Sequence, residues 1–423
     1  MARERMSSVD TAWLRMDSPV NLMMIVGVHV FDTPLDYGNL RQMVRARLLQ
    51  YKRFKQKVVS DASGSWWVDD EHFDLDQHLH RISLPGKGDK LELEKLVGAL
   101  STESLDATRP LWQFHLIENY QGGNALVARI HHCIADGIAL IGVLLSLTAP
   151  SAKESLAAPE EPRWIKTRKS SDNANIWEDF FAPVTQMAVK ALNATGNAAS
   201  MAIGQTGALI QDPESAAHKA SEFAHIASQV ARDAAQIALM SSDTPTSLKG
   251  KPGRAKVVAW TEPIPLDEVK AIGKALGASV NDILLSCVSG AIRSYLVARG
   301  ETVASDAELR AMVPVNLRPS GQEHKLGNKF GLVPLTLPIG VSNPLARLFE
   351  VRQRMNDLKG GYQAMLAMAV LGVVGVAPKA MQRAVLDMLA KKATAVMTNV
   401  PGPSQALYMA GAKMSQVMFW VPQ

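Results

Sequence analysis

The run Trp112-Gln-Phe-His-Leu-Ile-Glu-Asn-Tyr120-Gln-Gly-Gly123-Asn-Ala-Leu-Val-Ala-Arg-Ile130-His131-His132-Cys133-Ile-Ala-Asp136-Gly137-Ile-Ala-Leu-Ile-Gly-Val-Leu-Leu-Ser-Leu147 decides the fold and holds the chemistry. Trp112, Phe114 and Leu116 alternate with polar residues, which is the period of a half-buried strand. Gly122-Gly123 supplies a turn, and Ala125 to Ile130 forms a second strand-like run. A β-hairpin therefore delivers the chain to His131. Beyond it, Asp136 is placed to cap a mostly buried helix over Ile138 to Leu147. The paired histidines thus sit on a strand-to-helix loop.

A histidine at a strand end, facing a cavity, can remove a hydroxyl proton near neutral pH, because imidazole titrates there. Such a base must be held in one orientation. A carboxylate four residues later on the same tight loop, Asp136, can anchor the loop by an ion pair or by capping bonds. Gly137 would permit a close or unusual backbone approach. Cys133 follows the histidines directly, so a nucleophilic pair has to be weighed. On a strand end its side chain should point away from that of His132, and a small buried filler is the reading taken.

Working outward, 423 residues exceed one ordinary core and predict two to three domain-sized units. Hydrophobic residues at 47% and charged residues at 20% exclude a disordered or fibrous chain. The net charge of +5 favours anionic partners: a phosphate-bearing cofactor, an acidic membrane surface or nucleic acid. Nucleic acid is not expected as a partner, since there is no zinc-finger spacing, RNA-binding signature or long basic block. Two cysteines, Cys133 and Cys287, make neither a disulfide framework nor a zinc site, which suits a reducing cytoplasm. His72, His78 and His80 lack a second ligand cluster, so no metal is expected. The N-terminus lacks the apolar core of a signal peptide, and no stretch reads as the roughly 20 apolar residues of a membrane span. The longest apolar run, Ala364 to Ala377, reads as a buried helix.

Met23 to Phe31 is β-favouring, and Leu40, Val44 and Leu48 recur at helical spacing through Tyr37 to Tyr51. From Pro150 to about Lys169, Pro, Lys, Glu and Ser accumulate as in an exposed crossover. The Ala-rich stretch Ile176 to Met240 reads as two or three helices, either a connector packed across both domains or an amphipathic surface touching lipid. A breaker cluster at Thr244 to Gly253 precedes a predicted strand at Lys256 to Ile264 and helices at Leu266 to Leu276 and Asn281 to Arg299. The expected division is residues 1–150, carrying the histidines; 151–253, linker and helical connector; and 254–423, a second α/β unit.

Several ordered motifs give this pattern a resemblance. His131-His132-Cys-Ile-Ala-Asp136-Gly137 resembles the His-His-x-x-x-Asp-Gly hallmark of the bacterial wax ester synthase/acyl-CoA:diacylglycerol acyltransferase family. That family is a branch of the superfamily with chloramphenicol acetyltransferase and condensation domains. The likeness continues through Leu105-Asp-Ala-Thr-Arg-Pro110-Leu111-Trp112, Val280-Asn281-Asp282, Pro314-Val-Asn-Leu-Arg318-Pro, Gly327-Asn328, Thr398-Asn399-Val-Pro401-Gly402-Pro403 and Gly411. It implies an α/β fold of two acetyltransferase-like halves, mixed sheets flanked by helices, joined by a helical crossover with a tunnel between them. It implies transfer of a long-chain acyl group from acyl-CoA, a co-substrate with no bound cofactor, to a fatty alcohol or diacylglycerol. Peripheral attachment to the inner membrane or lipid bodies is part of the same expectation.

By the same resemblance His132 is the general base, His131 supports it, and Asp136 holds the loop, with Arg318 a possible partner. Pro110, Leu111 and Trp112 form a scaffold behind the loop, since a packed indole fixes it by burial. Asn281 and Asp282 open a helix, either capping it to shape the second half of the site or hydrogen bonding near the reacting centre. Family members continue beyond a segment like Val-Pro-Gln with a Gly-rich strand region, so the last unit reads as shortened. Two other readings stay open: the same site with a polyketide or glycolipid acceptor, and a catalytically weak lipid-surface binding protein.

Overall fold

The computed structural model describes residues 3–61, 64–157, 241–317, 326–359, 392–400, 402–403 and 405–422. Strand β1 (Arg3–Arg5) and helix α1 (Ser8–Met16) open the chain, with the Ser7 side chain accepting from Asp10 N as N-cap. Strand β2 (Met24–Phe31) is buried along its whole length, as its continuous apolar run requires. Helix α2 (Tyr37–Arg47) passes into a 3-10 turn over Leu48–Gln50, and Leu40, Val44 and Leu48 are fully buried at the expected spacing. Strands β3 (Gln56–Asp61), β4 (Gly64–Asp69) and β5 (Leu79–Ser83) follow, then helix α3 (Lys90–Leu100), closed by an Asp89–Glu92 capping box.

Strands β6 (Trp112–Tyr120) and β7 (Gly123–His131) form the predicted hairpin. Its turn lies one residue earlier than the sequence suggests. Gln121 and Gly122, at φ 47° and 81°, form the two-residue loop, and the paired positive φ values match the twist of a tight hairpin. Helix α4 (Gly137–Leu147) then starts at its Asp136 cap, and α5 (Ala152–Leu156) forms inside the stretch read as an irregular linker. The buried Arg47 accounts for that difference: its guanidinium donates to the carbonyls of Thr148, Glu154, Ser155 and Ala157, fixing the chain where it leaves α4. The rest of the linker, the Ala-rich stretch Ile176 to Met240 and the run Ala364 to Ala377 lie outside the described residues.

The second part holds α6 (Leu266–Leu276), α7 (Val280–Ala298), β8 (Leu309–Asn316), β9 (Phe330–Leu337), α8 (Pro344–Lys359), β10 (Ala395–Val396), β11 (Tyr408–Met409) and β12 (Ala412–Trp420). The strand expected at Lys256 to Ile264 does not form. The segment crosses α3 instead, with Lys256 N bonded to Thr102 Oγ1, Trp260 N to Glu94 Oε1 and Val258 buried. One side of the extended segment faces the helix, with Val258 buried and Val257 exposed. Helix α7 is long and apolar enough to cross a membrane by length and composition, contrary to the expectation that no stretch is. It begins with the buried Asn281 and Asp282 and packs on α8.

Three sheets result among the described residues: β1-β4-β3, β10-β8-β9, and six strands in the order β11-β12-β2-β7-β6-β5. In the last, β5 runs parallel to β6 and the other pairs are antiparallel. One face of it packs α2 and α4 around Phe54, Trp112, Leu116, Leu126 and Ile134, and the other packs α3 around Val26, Val28, Leu93, Val97 and Val127. A third core, with Leu296, Leu309, Leu335, Leu337 and Val351, lies between β8, β9, α7 and α8. The six-stranded sheet therefore joins the first and last stretches of sequence: β12 pairs along β2, Trp420 opposite Val26.

Candidate active site

The loop between β7 and α4 is tied at its start by two backbone bonds. His131 N donates to Leu111 O at 3.0 Å, and His132 N donates to Met23 O at 2.7 Å. Both histidines are 4% exposed. Behind them Trp112 is fully buried, its indole N–H donating to Phe54 O at 2.9 Å and its ring stacked on His78 at 4.6 Å. Pro110 and Leu111 are buried beside it. All three residues expected to form a scaffold are buried.

Asp136 caps α4 through Oδ1, which accepts from Ala139 N at 2.9 Å. Its Oδ2 accepts from Lys329 N at 2.9 Å, so the same carboxylate clamps the approach to β9. Arg318, the expected partner, lies outside the described residues. Gly137 needs neither a positive φ nor a close approach: a Cβ there would meet nothing within 4 Å, and the expectation of an unusual backbone is corrected. What its missing side chain leaves is open space at the first turn of α4.

His132 is surrounded by groups from distant parts of the chain. The Trp13 indole stacks on its ring at 4.1 Å and 15°, and Phe330 lies at 5.5 Å. Its Nδ1 is 2.8 Å from Asn328 Oδ1. Asn328 Nδ2 donates to Asp10 Oδ1 at 2.8 Å and to His132 O at 2.7 Å. A carbonyl oxygen only accepts, so the amide's NH₂ end faces His132 O and its oxygen faces the ring. Nδ1 must then be the protonated nitrogen, and Nε2 carries the lone pair, with no hydrogen-bond partner among the described residues. Burial holds the ring neutral, its pKa pushed down to about 4, while the Asp136 charge pulls the other way.

Asn328 is brought in by Gly327, whose N donates to Ile134 O at 3.2 Å and whose φ of 97° favours glycine. Asp10 sits on the buried side of α1, and desolvation raises its pKa. Sequence reasoning quoted Gly327-Asn328 as a motif without giving it a role, and it missed Asp10, Trp13 and Phe330. A carboxylate on the apolar side of an amphipathic helix is the one local signal that Asp10 offered.

His131 turns elsewhere: Nδ1 accepts from Cys133 N at 3.1 Å, and Nε2 lies 3.7 Å from Asp17 Oδ1. Cys133 is fully buried, and burial pushes its thiol well above the ordinary range. Asp282 belongs to a capping box with Ser279 at the start of α7, and Asn281 Oδ1 accepts from Asn399 Nδ2. Asn399 of the motif at 398–403 and Asn281 thus meet each other. Among the described residues no hydrogen bond joins either Asn281 or Asp282 to His132. His78 and His80 are engaged in separate stacks, on Trp112 and on His115.

The family model described as the wax ester synthase/diacylglycerol acyltransferase catalytic domain matches residues 6–284, and the corresponding C-terminal domain matches 326–423. A Mycobacterium tuberculosis protein named a probable diacylglycerol O-acyltransferase is 31% identical over 376 residues, which span 87% of this chain and 74% of that one. Among solved structures, the wax ester synthase/diacylglycerol acyltransferase of Marinobacter aquaeolei VT8 aligns with a TM-score of 0.63 at 19% identity, over 99% of this chain and 87% of that chain. The first condensation domain of the calcium-dependent antibiotic synthetase aligns with a TM-score of 0.57 at 15% identity, over 100% and 86%. The fold is therefore the mixed α/β, two-lobed architecture that these structures share. With both family models matched in order, the chain belongs to the wax ester synthase/diacylglycerol acyltransferase family and is an acyltransferase.

Proposed function

We propose that the protein transfers a long-chain acyl group from acyl-CoA to a diacylglycerol or fatty alcohol, with His132 as general base in a ternary complex. The observation that carries this reading is the His132 ring itself: neutral, Nδ1 engaged by Asn328, Nε2 unprotonated and free to accept. The acceptor hydroxyl gives its proton to Nε2 as its oxygen attacks the thioester carbonyl carbon. When the tetrahedral intermediate collapses, the C–S bond breaks, and the proton on Nε2 passes to the departing CoA sulfur. Imidazolium character then develops against the face of Trp13 and within reach of the Asp136 charge, both of which favour a cation. No acyl-enzyme is required, and a fully buried thiol with a raised pKa makes Cys133 a poor nucleophile.

Diacylglycerol is favoured as acceptor by the mycobacterial relatives, whose names carry that activity. Residues 1–150 carry the base, 254–423 supply the second lobe and its returning strands, and 151–253 link them. Leu266, Ile272, Tyr295, Val297, Leu345 and Phe349 are exposed on α6, α7 and α8, which supports contact with a lipid surface where such acceptors reside. The test is thiol release from palmitoyl-CoA with diolein or hexadecanol, products resolved by thin-layer chromatography. Ester formation that is acceptor-dependent and lost in His132→Ala is expected. Release of CoA that is unchanged in His132→Ala would overturn the base assignment, and an ester only with a polyketide or glycolipid alcohol would overturn the acceptor.

A further inference from the structure

We infer that Asn328 and Asp10 are the positioning pair of His132, so that the second lobe fixes the tautomer of the base carried by the first. The inference rests on the reading of His132 as general base. A neutral imidazole exists as two tautomers, and only the one protonated on Nδ1 presents a lone pair at Nε2. The backbone of His132 itself acts on the ring, but among the described residues no side chain of the histidine loop is hydrogen-bonded to its Nδ1. The side chain bonded there is Asn328, 196 residues further along the chain, at 2.8 Å.

The amide of Asn328 is over-determined. Its Nδ2 faces His132 O at 2.7 Å and Asp10 Oδ1 at 2.8 Å, and its backbone N reaches the same Asp10 oxygen at 3.2 Å. A flipped amide would set oxygen against oxygen at both side-chain contacts. Asp10 thus holds the donor end, the acceptor end is turned to the ring, and the ring takes the tautomer that exposes Nε2. The whole set is buried, Asp10 at 8% exposure and Asn328 at 5%, where an unmatched polar pair would be costly. Triads in which an asparagine orients the histidine use the same logic.

The charged and titratable groups around His132 are Asp136, His131 with its neighbour Asp17, and Asp10 with Arg53 acting on it. Asn328 is the neutral group in this set in contact with Nδ1, so it sets the tautomer without adding charge. It lies in the segment matched by the C-terminal family model, whereas His132 and Asp10 lie in the segment matched by the catalytic one. The base is complete only when both are present.

Four proteins decide the matter: wild type, His132→Ala, Asn328→Leu and Asp10→Ala. Palmitoyl-CoA turnover is measured from about pH 5 to pH 9, and the tautomer is read from ¹⁵N shifts of histidine-labelled protein. Asn328→Leu has similar volume and no acceptor; its kcat is expected to fall about 10²- to 10³-fold with KM changed less than about threefold, and the Nδ1-protonated signature assigned to His132 is lost. Asp10→Ala removes the acceptor that holds the donor end of the amide, leaving His132 O alone to orient it; kcat is expected to fall about tenfold with KM little changed, and the Nδ1-protonated signature of His132 weakens. A folded Asn328→Leu with wild-type kcat and an unchanged ¹⁵N spectrum would overturn the inference. If Asn328→Leu does not fold, Asp10→Ala decides: a folded protein with wild-type kcat and an unchanged ¹⁵N spectrum overturns it, and a loss of about tenfold in kcat with a changed His132 signature supports it. Wild-type activity in His132→Ala would instead remove the underlying base assignment, whatever Asn328 does.

Discussion

Acidification should destabilise this protein well before its carboxylates titrate, because several of its histidines are buried in the neutral form. His29 and His132 have pKa values lowered to about 4 and His115 to about 3, each chiefly by desolvation, and all three are at most 6% exposed. In the unfolded chain each titrates near 6.5. A group whose folded pKa lies below its unfolded one leaves stability intact above the unfolded value and removes it as pH falls below that value. At about pH 5.5 the unfolded chain has taken up nearly one proton per histidine while the fold has taken up almost none, a loss of about 1.4 kcal/mol each, or about 4 kcal/mol for the three. Set against typical domain stabilities of about 5–15 kcal/mol, that loss is large. His78 and His80 are lowered in the same direction, and the raised carboxyl of Asp10 works in the opposite one.

The assay is guanidinium unfolding followed by tryptophan fluorescence at about pH 8 and about pH 5.5. His115 makes the sharper test, since it stacks on His80 beside Arg129 and neither ring nitrogen has a partner among the described residues. His115→Leu should leave stability at the higher pH unchanged or improved, and shrink the acid loss by about 1.4 kcal/mol. A wild-type loss below about 1 kcal/mol, or a His115→Leu protein with the full wild-type loss, would refute the reasoning.

Asp136→Ala removes the α4 cap and leaves the N–H groups of the buried Ala139 and the half-buried Lys329 without their acceptor. A loss of about 2–4 kcal/mol in unfolding free energy is expected, with activity falling alongside it, and a loss under about 0.5 kcal/mol would count against the clamp. Cys133→Ala should keep turnover within about threefold of wild type in the CoA-release assay, because the thiol is a buried filler; abolished turnover in a folded variant would reinstate a covalent step.

Some of this was legible along the chain because the signals are local. The strand period of Trp112 to Leu116, the apolar run to Ile130 and the aspartate before an apolar helix each act within a few residues. Together they put His131 and His132 on a strand-to-helix loop. The helices at Leu266–Leu276 and Val280–Ala298 and the buried face of Leu40, Val44 and Leu48 follow from the same short-range physics. The ordered motifs likewise pointed to the family.

What the sequence could not convey is which remote segments meet. Lys256 to Ile264 holds the short apolar run of a strand, Val257 to Trp260, yet it packs on α3, since such a run reports burial and not the identity of the neighbour. The strand Ala412–Trp420 pairs with Met24–Phe31 from the opposite end of the chain, a choice made by register and sheet edge after collapse. The same holds at the centre of the site. Asp10 and Asn328 are 318 residues apart and carry no spacing relation to His132, but in the fold they close around its ring with Trp13. The residue type at position 132 was set by the sequence; the identity of the nitrogen left free to take a proton was decided by tertiary contact, because only packing brings an amide oxygen to the other one.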